Sequence, residues 1–131
     1  MAITTAICNS YKQEILEGVH TSADVYKLAL FTSTATLGAG TTVYAITNEV
    51  SGTGYTAGGA TLAGFTSGLS GSTGYLTFTD PSWASSTITA RGCLIYNSSK
   101  SNKAVAAFDF GADVVSTNGT FTVDLPVAGA S

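Results

Sequence analysis

The chain's single histidine, His20, stands four residues before Asp24 in a sequence rich in serine, the residue set of a Ser-His-Asp nucleophile. The chemistry would be attack by a hydroxyl whose proton the imidazole removes. Nothing singles out the serine, because no Gly-x-Ser-x-Gly elbow occurs and serine is frequent enough to fall near any histidine. The plainer expectation is a loop histidine just past a helix. Asp109 and Asp113 are a second candidate pair, since adjacent carboxylates can bind calcium or divide acid and base roles. Two carboxylates without the Asp-rich loop of an EF-hand are too few, so Asp109 is expected to point outward from a strand and Asp113 to serve a turn.

The segment Gly52-Thr-Gly-Tyr-Thr-Ala-Gly-Gly59 places glycines close enough for backbone N–H groups to approach an anion. It lacks the Gly-Lys-Ser/Thr of a phosphate loop, and residues 60–65 read as a strand rather than a helix, so turn chemistry accounts for it better. Trp83 offers a broad apolar plate for a sugar or base, or equally a core side chain. Cys8 and Cys93 fit neither a metal spacing nor a disulfide framework, and two reduced, partly buried thiols are expected, with a single bridge as the alternative. No catalytic residue, metal site or cofactor is expected from these features.

The elements that would position such residues follow from composition and pattern. The 131 residues suit one domain spanning 1–131. Charged residues are only 10%, against about a quarter in ordinary soluble domains, and Thr, Ser and 15 Gly take their place. Positive mean hydropathy of +0.29 with a net charge of only -3 argues for folding rather than disorder. Five Lys and Arg against eight Asp and Glu leave no basic field for a nucleic acid. The first residues lack the cationic flank and apolar stretch of a secretory signal. No run approaches the ~18 apolar residues of a membrane span, so no membrane partner is expected.

A short helix is predicted over 11–17, capped by Asn9 or Ser10, ended by Gly18, and presenting Ile7, Tyr11, Ile15 and Val19. Strands are predicted at 25–31, with Tyr26, Leu28 and Leu30 on one face, and at 60–65 and 75–79, the latter closed by Pro81. Strands at 87–97 and 103–110, joined by Ser98-Ser-Lys-Ser-Asn102, should form a hairpin. A last strand at 120–125 follows a turn at Asn118-Gly119, with Phe121, Val123 and Leu125 inward and Pro126 as its stop. The fold class is all-β, an antiparallel β-sandwich with one short N-terminal helix.

Residues 32–59 form a connection longer than the ~12 to 15 residues usual for a structural linker, and such excursions are commonly functional. Tyr44, Glu49 and Tyr55 are its best candidates for contacting a partner. Tyrosines add contact area with few torsions to freeze, and Glu49 could pair with a partner's Arg or Lys. Val43, Tyr44 and Ile46 could equally make a strand or turn covering the end of the sandwich.

Several segments resemble small virion structural proteins of tailed bacteriophages. They are Tyr26-Lys-Leu-Ala-Leu-Phe-Thr-Ser33, Thr47 through Gly59, Thr89-Ala-Arg-Gly-Cys-Leu-Ile-Tyr-Asn97, Ala106-Ala-Phe-Asp-Phe-Gly111 and Asn118-Gly-Thr-Phe-Thr-Val123. In scale and Thr/Gly-rich texture the chain is similar to capsid cement or decoration proteins. That resemblance implies a jelly-roll-like sandwich on the capsid exterior, the major capsid protein as partner, and no catalytic residues. A neutral, Thr-rich surface gives up the charge repulsion that keeps monomers apart, so a homo-oligomer, dimer or trimer, is expected. The alternative from another class is a receptor- or glycan-binding head on a tail or fibre, with Trp83 and the loop tyrosines facing the ligand.

Overall fold

In the computed structural model, which describes residues 3–21 and 23–123, the described residues form one short helix and seven strands. The described chain is all-β with one helix, as its Thr and aromatic content predicts. β1 (Ala6–Ile7), α1 (Asn9–Leu16), β2 (Tyr26–Phe31), β3 (Ala60–Thr61), β4 (Thr66–Ser70), β5 (Thr73–Thr77), β6 (Ser82–Asn97) and β7 (Lys103–Thr122) follow in chain order. Five strands make an antiparallel sheet in the order β1-β7-β6-β2-β3, and β4 pairs with β5 alone. The second layer is thin. Phe65 and Phe78, at the base of the β4–β5 hairpin, pack on Tyr26 of β2 with ring centroids 5.5 Å away. The two four-stranded leaves of a jelly roll are not among the described ladders.

The predicted hairpin forms the centre of the sheet, with Asn97 paired to Lys103 and a 3-10 turn at Ser98–Lys100. Its strands are longer than their sequence suggests. β5 ends at Thr77, before Pro81 as expected, and a new strand opens directly after the proline: its carbonyl accepts the Val123 N–H at 3.0 Å and β6 begins at the next residue. Asn118-Gly119 is not a turn between strands but a bulge inside β7. Asn118 takes φ 47, and the step from Ser86 to Ile88 on β6 is matched by Gly119 to Ser116 on β7. A larger irregularity surrounds Gly111, since Ala90 and Gly92 face Val114 and Asp109. Asp113 therefore lies in that irregularity, exposed, rather than in a separate turn. Phe121 and Val123 are buried while Thr120 and Thr122 are exposed, as the alternation predicts; Asp124, Leu125 and Pro126 lie outside the described residues.

β2 buries more than the expected face. Leu28, Ala29, Leu30 and Phe31 are all at most 1% exposed, so both faces of the strand are covered, while β6 flanks it along one edge and β3 with residues 48–50 along the other. Each such Leu or Phe contributes about 1.5–3 kcal/mol on leaving water. The helix starts earlier than predicted. Asn9 and Ser10 lie inside it and Cys8 is the cap, without a side-chain capping bond. One of the first-turn donors is satisfied by neighbouring backbone instead, since Ala39 O accepts the Asn9 N–H at 2.8 Å. Gly18 ends it with φ +75, as expected. Of the predicted apolar stripe only Tyr11 is buried, while Ile15 stays 48% exposed.

Candidate functional site

The long excursion is strapped across the sheet. Its residues 42–44 lie along the outer edge of β7, where Ala104 N–H donates to Thr42 O and Tyr44 N–H to Asn102 O, both at 2.9 Å. Its residues 48–50 lie along the outer edge of β2, through Thr32 N–H to Asn48 O at 3.0 Å and Val50 N–H to Leu30 O at 2.9 Å. The chain between must cross one face, and there the Tyr44 ring stacks on Tyr96 of β6 at 4.5 Å and 13°.

Tyr44, Glu49 and Tyr55, chosen from sequence as partner contacts, are brought together onto one another. The Tyr44 hydroxyl donates to Glu49 Oε1, the Tyr55 hydroxyl to Oε2, and the Gly58 N–H to Oε2 at 2.8 Å. Tyr55 Oη also accepts the Leu30 N–H at 3.0 Å, so the cluster ties the strap to β2. Tyr96 completes it by donating to Gly58 O at 2.6 Å. Both carboxylate oxygens are thus engaged within the chain, and an incoming Arg or Lys would compete with charge-assisted bonds already formed. Tyr96 and Gly58 had no signal in the sequence beyond an aromatic in an apolar run and a glycine among glycines.

Burial, then the bond to Glu49, pushes both the Tyr44 and Tyr55 hydroxyls above the usual tyrosine value of 10.0. The folded state therefore holds these protons more tightly than the unfolded chain, and their contribution to stability is complete below pH 10.0 and lost as pH rises further. Urea midpoints measured between about pH 9 and about pH 11 should fall, and the Tyr44→Phe/Tyr55→Phe double variant should show a shallower fall from a lower starting point. An equal slope in the variant would contradict the assignment.

The glycine-rich segment serves close approach. A Cβ on Gly52 would sit 2.4 Å from Thr87 O, and one on Gly59 1.9 Å from Leu28 O, so the backbone of this segment lies directly on β6 and β2. Thr87 N–H donates to Thr53 O at 2.9 Å in the same contact. These glycines meet strands, not phosphate.

His20 is enclosed rather than free in a loop, its side chain 2% exposed. Asn97, itself fully buried, accepts the Ser99 N–H on Oδ1 at 3.0 Å and so directs its amide protons to Asp24 Oδ2 at 2.8 Å and His20 Nδ1 at 3.0 Å. That leaves His20 Nε2 to donate to Glu14 Oε1 at 2.9 Å. Both ring nitrogens are committed, so the imidazole has no lone pair to offer a hydroxyl. Lys100 Nζ donates to Asp24 Oδ1 at 2.8 Å, and this bond, followed by that of Asn97, holds the Asp24 carboxyl well below the ordinary 3.8. The network ties the end of α1 to the turn of the β6–β7 hairpin.

Asp109 points outward from its strand, as predicted, bonded to the Gly111 N–H and to Arg91 Nε at 2.9 Å each. These two bonds lower its carboxyl. Trp83 is 7% exposed, packed at 6.1 Å on Phe121 and 5.7 Å on Tyr55, so it is a core side chain rather than a plate. Cys8 and Cys93 are both buried and free. Burial, then Glu14, pushes the Cys8 thiol up to about 11. Among the described residues no helix is long and apolar enough to cross a membrane. No protein-family profile, no curated protein and no solved structure matches the chain.

Proposed function

We propose that this protein is a structural component of a tailed-bacteriophage virion, a cement or decoration protein that binds the outside of the head shell and stabilises it. One observation carries this reading beyond the resemblance of sequence. Many ionisable groups are engaged within the chain, as with Glu14, Asp24, Glu49, Arg91, Lys100 and Asp109, while among the described exposed strand positions half are Thr or Ser and only Asp113 is charged. A surface of that kind associates at little cost in charge desolvation, and a repeating lattice multiplies weak contacts by raising the effective concentration of the next site.

The strap is the contact region in this reading, with Tyr44, Glu49 and Tyr55 holding it in shape rather than reaching the shell. What it offers is Val43 and Ile46, 49% and 63% exposed, beside an open apolar hollow of about 230 Å³ lined in part by Phe31, Leu37 and Val43. Purified shells mixed with the protein should carry it down on sedimentation and melt at a higher temperature, and Ile46→Asp should weaken both effects while the variant stays folded. No co-sedimentation and no shift in shell melting would remove the proposal. In the alternative, a glycan-binding tail head, Trp83 and the loop tyrosines would face the ligand, but Trp83 is buried and the Tyr44 and Tyr55 hydroxyls are engaged by Glu49; immunogold confined to the tail tip would favour that alternative.

A further inference from the structure

α1 is weakly fastened to the sheet. At eight residues it is too short to hold its shape alone, and Tyr11 is its one buried residue. Among the described residues, the polar links from its C-terminal end to the sheet run through His20 and through Lys103 Nζ, 3.4 Å from Glu14 Oε2. The His20 ring lies 4.7 Å from that of Tyr11 on α1 and 6.4 Å from that of Tyr26 on β2. The buried anchor of the helix thus packs on the side chain type that changes charge near neutral pH.

We propose that His20 is a proton-operated clasp: the neutral ring fastens the end of α1 to the β6–β7 turn, and in mild acid the imidazolium lets go, so that residues 14–21 come away from the sheet. The neutral ring has one acceptor and one donor, and its surroundings match that pair. Asn97 Nδ2 donates to Nδ1, and Nε2 donates to Glu14 Oε1. An imidazolium has two donors, and its Nδ1–H would point at an NH2 group. Asn97 cannot turn its amide over to meet it. Oδ1 accepts the Ser99 N–H at 3.0 Å and Nδ2 donates to Asp24 Oδ2 at 2.8 Å, and both contacts would become like against like.

Charge gives the same sign. The Glu14 carboxylate alone would favour the imidazolium, but Lys103 already lies against it from β7, and Lys100 of the turn donates to both oxygens of Asp24 at 2.8 and 3.0 Å. Tyr11 and Tyr26, both raised by burial, keep their protons, as does the Cys8 thiol that Glu14 influences. Two carboxylates are thus matched by two ammonium groups, and a proton on His20 would be an unmatched charge on a side chain 2% exposed. Opening lets water hydrate it. Asn97, Asp24 and Lys100 keep their mutual bonds, and Val25 stays on the turn through Ser98 and Ser99, so the opening is confined to the helix end.

The clasp belongs to the chain itself and stands whether or not the protein binds a shell. At about pH 5.5, below the ordinary histidine value of about 6.5, an open state that alone takes the proton gains about tenfold over the closed one. Amide exchange, corrected for the intrinsic effect of pH, should show protection across residues 14–21 falling about tenfold between about pH 7.5 and about pH 5.5, with β6 unchanged. His20→Gln offers the same acceptor and donor without titrating, and its protection should be equal at both pH values. In the wild type, nitrogen NMR signals of the His20 ring should report protonation and release at one midpoint. Equal wild-type protection at both pH values would overturn the proposal, as would an equal loss in His20→Gln. So would an imidazolium formed while residues 14–21 stay protected, which would make His20 a fixed ion-pair partner instead. Should His20→Gln fail to fold, the ring signals and exchange of the wild type decide alone.

Discussion

Glu49→Ala is expected to destabilise the fold by about 3 kcal/mol, because it strands two tyrosine hydroxyls and the Gly58 N–H that one carboxylate now satisfies. Glu49→Gln keeps a carbonyl acceptor but brings an amide toward donors, and a loss of roughly 1–2 kcal/mol is expected. Because Tyr44, Tyr55 and Glu49 act as one cluster, their effects should not add. Chemical denaturation of Tyr55→Phe, Glu49→Ala and the double variant should give a coupling energy of roughly 1 kcal/mol or more. A Glu49→Ala protein within about 0.5 kcal/mol of the wild type would mean that the strap is held by something else.

Gly59→Ala should cost at least as much. The residue sits at φ +82, where an alanine is strained by about 1–2 kcal/mol. The added methyl would also lie 1.9 Å from Leu28 O and 2.7 Å from Ala29 Cα, atoms of a central strand that cannot step aside. A total loss of roughly 4 kcal/mol, or failure to fold, is expected, with β3 separated from β2. Gly40→Ala is the matched control: nothing lies within 4 Å of its Cβ position, and its melting should stay within about 0.5 kcal/mol of the wild type. Equal behaviour of the two variants would remove the close-approach account of the glycine-rich segment.

Much of the sheet could be read from the chain, because β2, the hairpin around Ser98 and the alternation at Phe121 and Val123 are specified by local pattern. What escaped were places where a tertiary partner overrides a local rule. Asn118-Gly119 read as a turn before a separate strand, yet one long ladder absorbs it where β7 carries an extra residue opposite β6. Residues 66–70, Thr-Ser-Gly-Leu-Ser, have little strand propensity and become β4 only by pairing with β5. Glu49 was legible as a residue with a role, but the role was assigned outward. Only the fold reveals that the two tyrosines on either side of it in sequence converge on its carboxylate.

The order of strands sets when this protein can take shape during synthesis. Ala6 and Ile7 pair with Ala107 and Ala106, and β2 lies against β6, so the N-terminal half has no template until the second half has left the ribosome. The β6–β7 ribbon can form first from near neighbours in sequence, after which β2, the strap and finally the short first strand close over distances of up to a hundred residues. Nascent chains stalled before Lys103 should therefore remain protease-sensitive throughout, and protection should arrive abruptly rather than strand by strand.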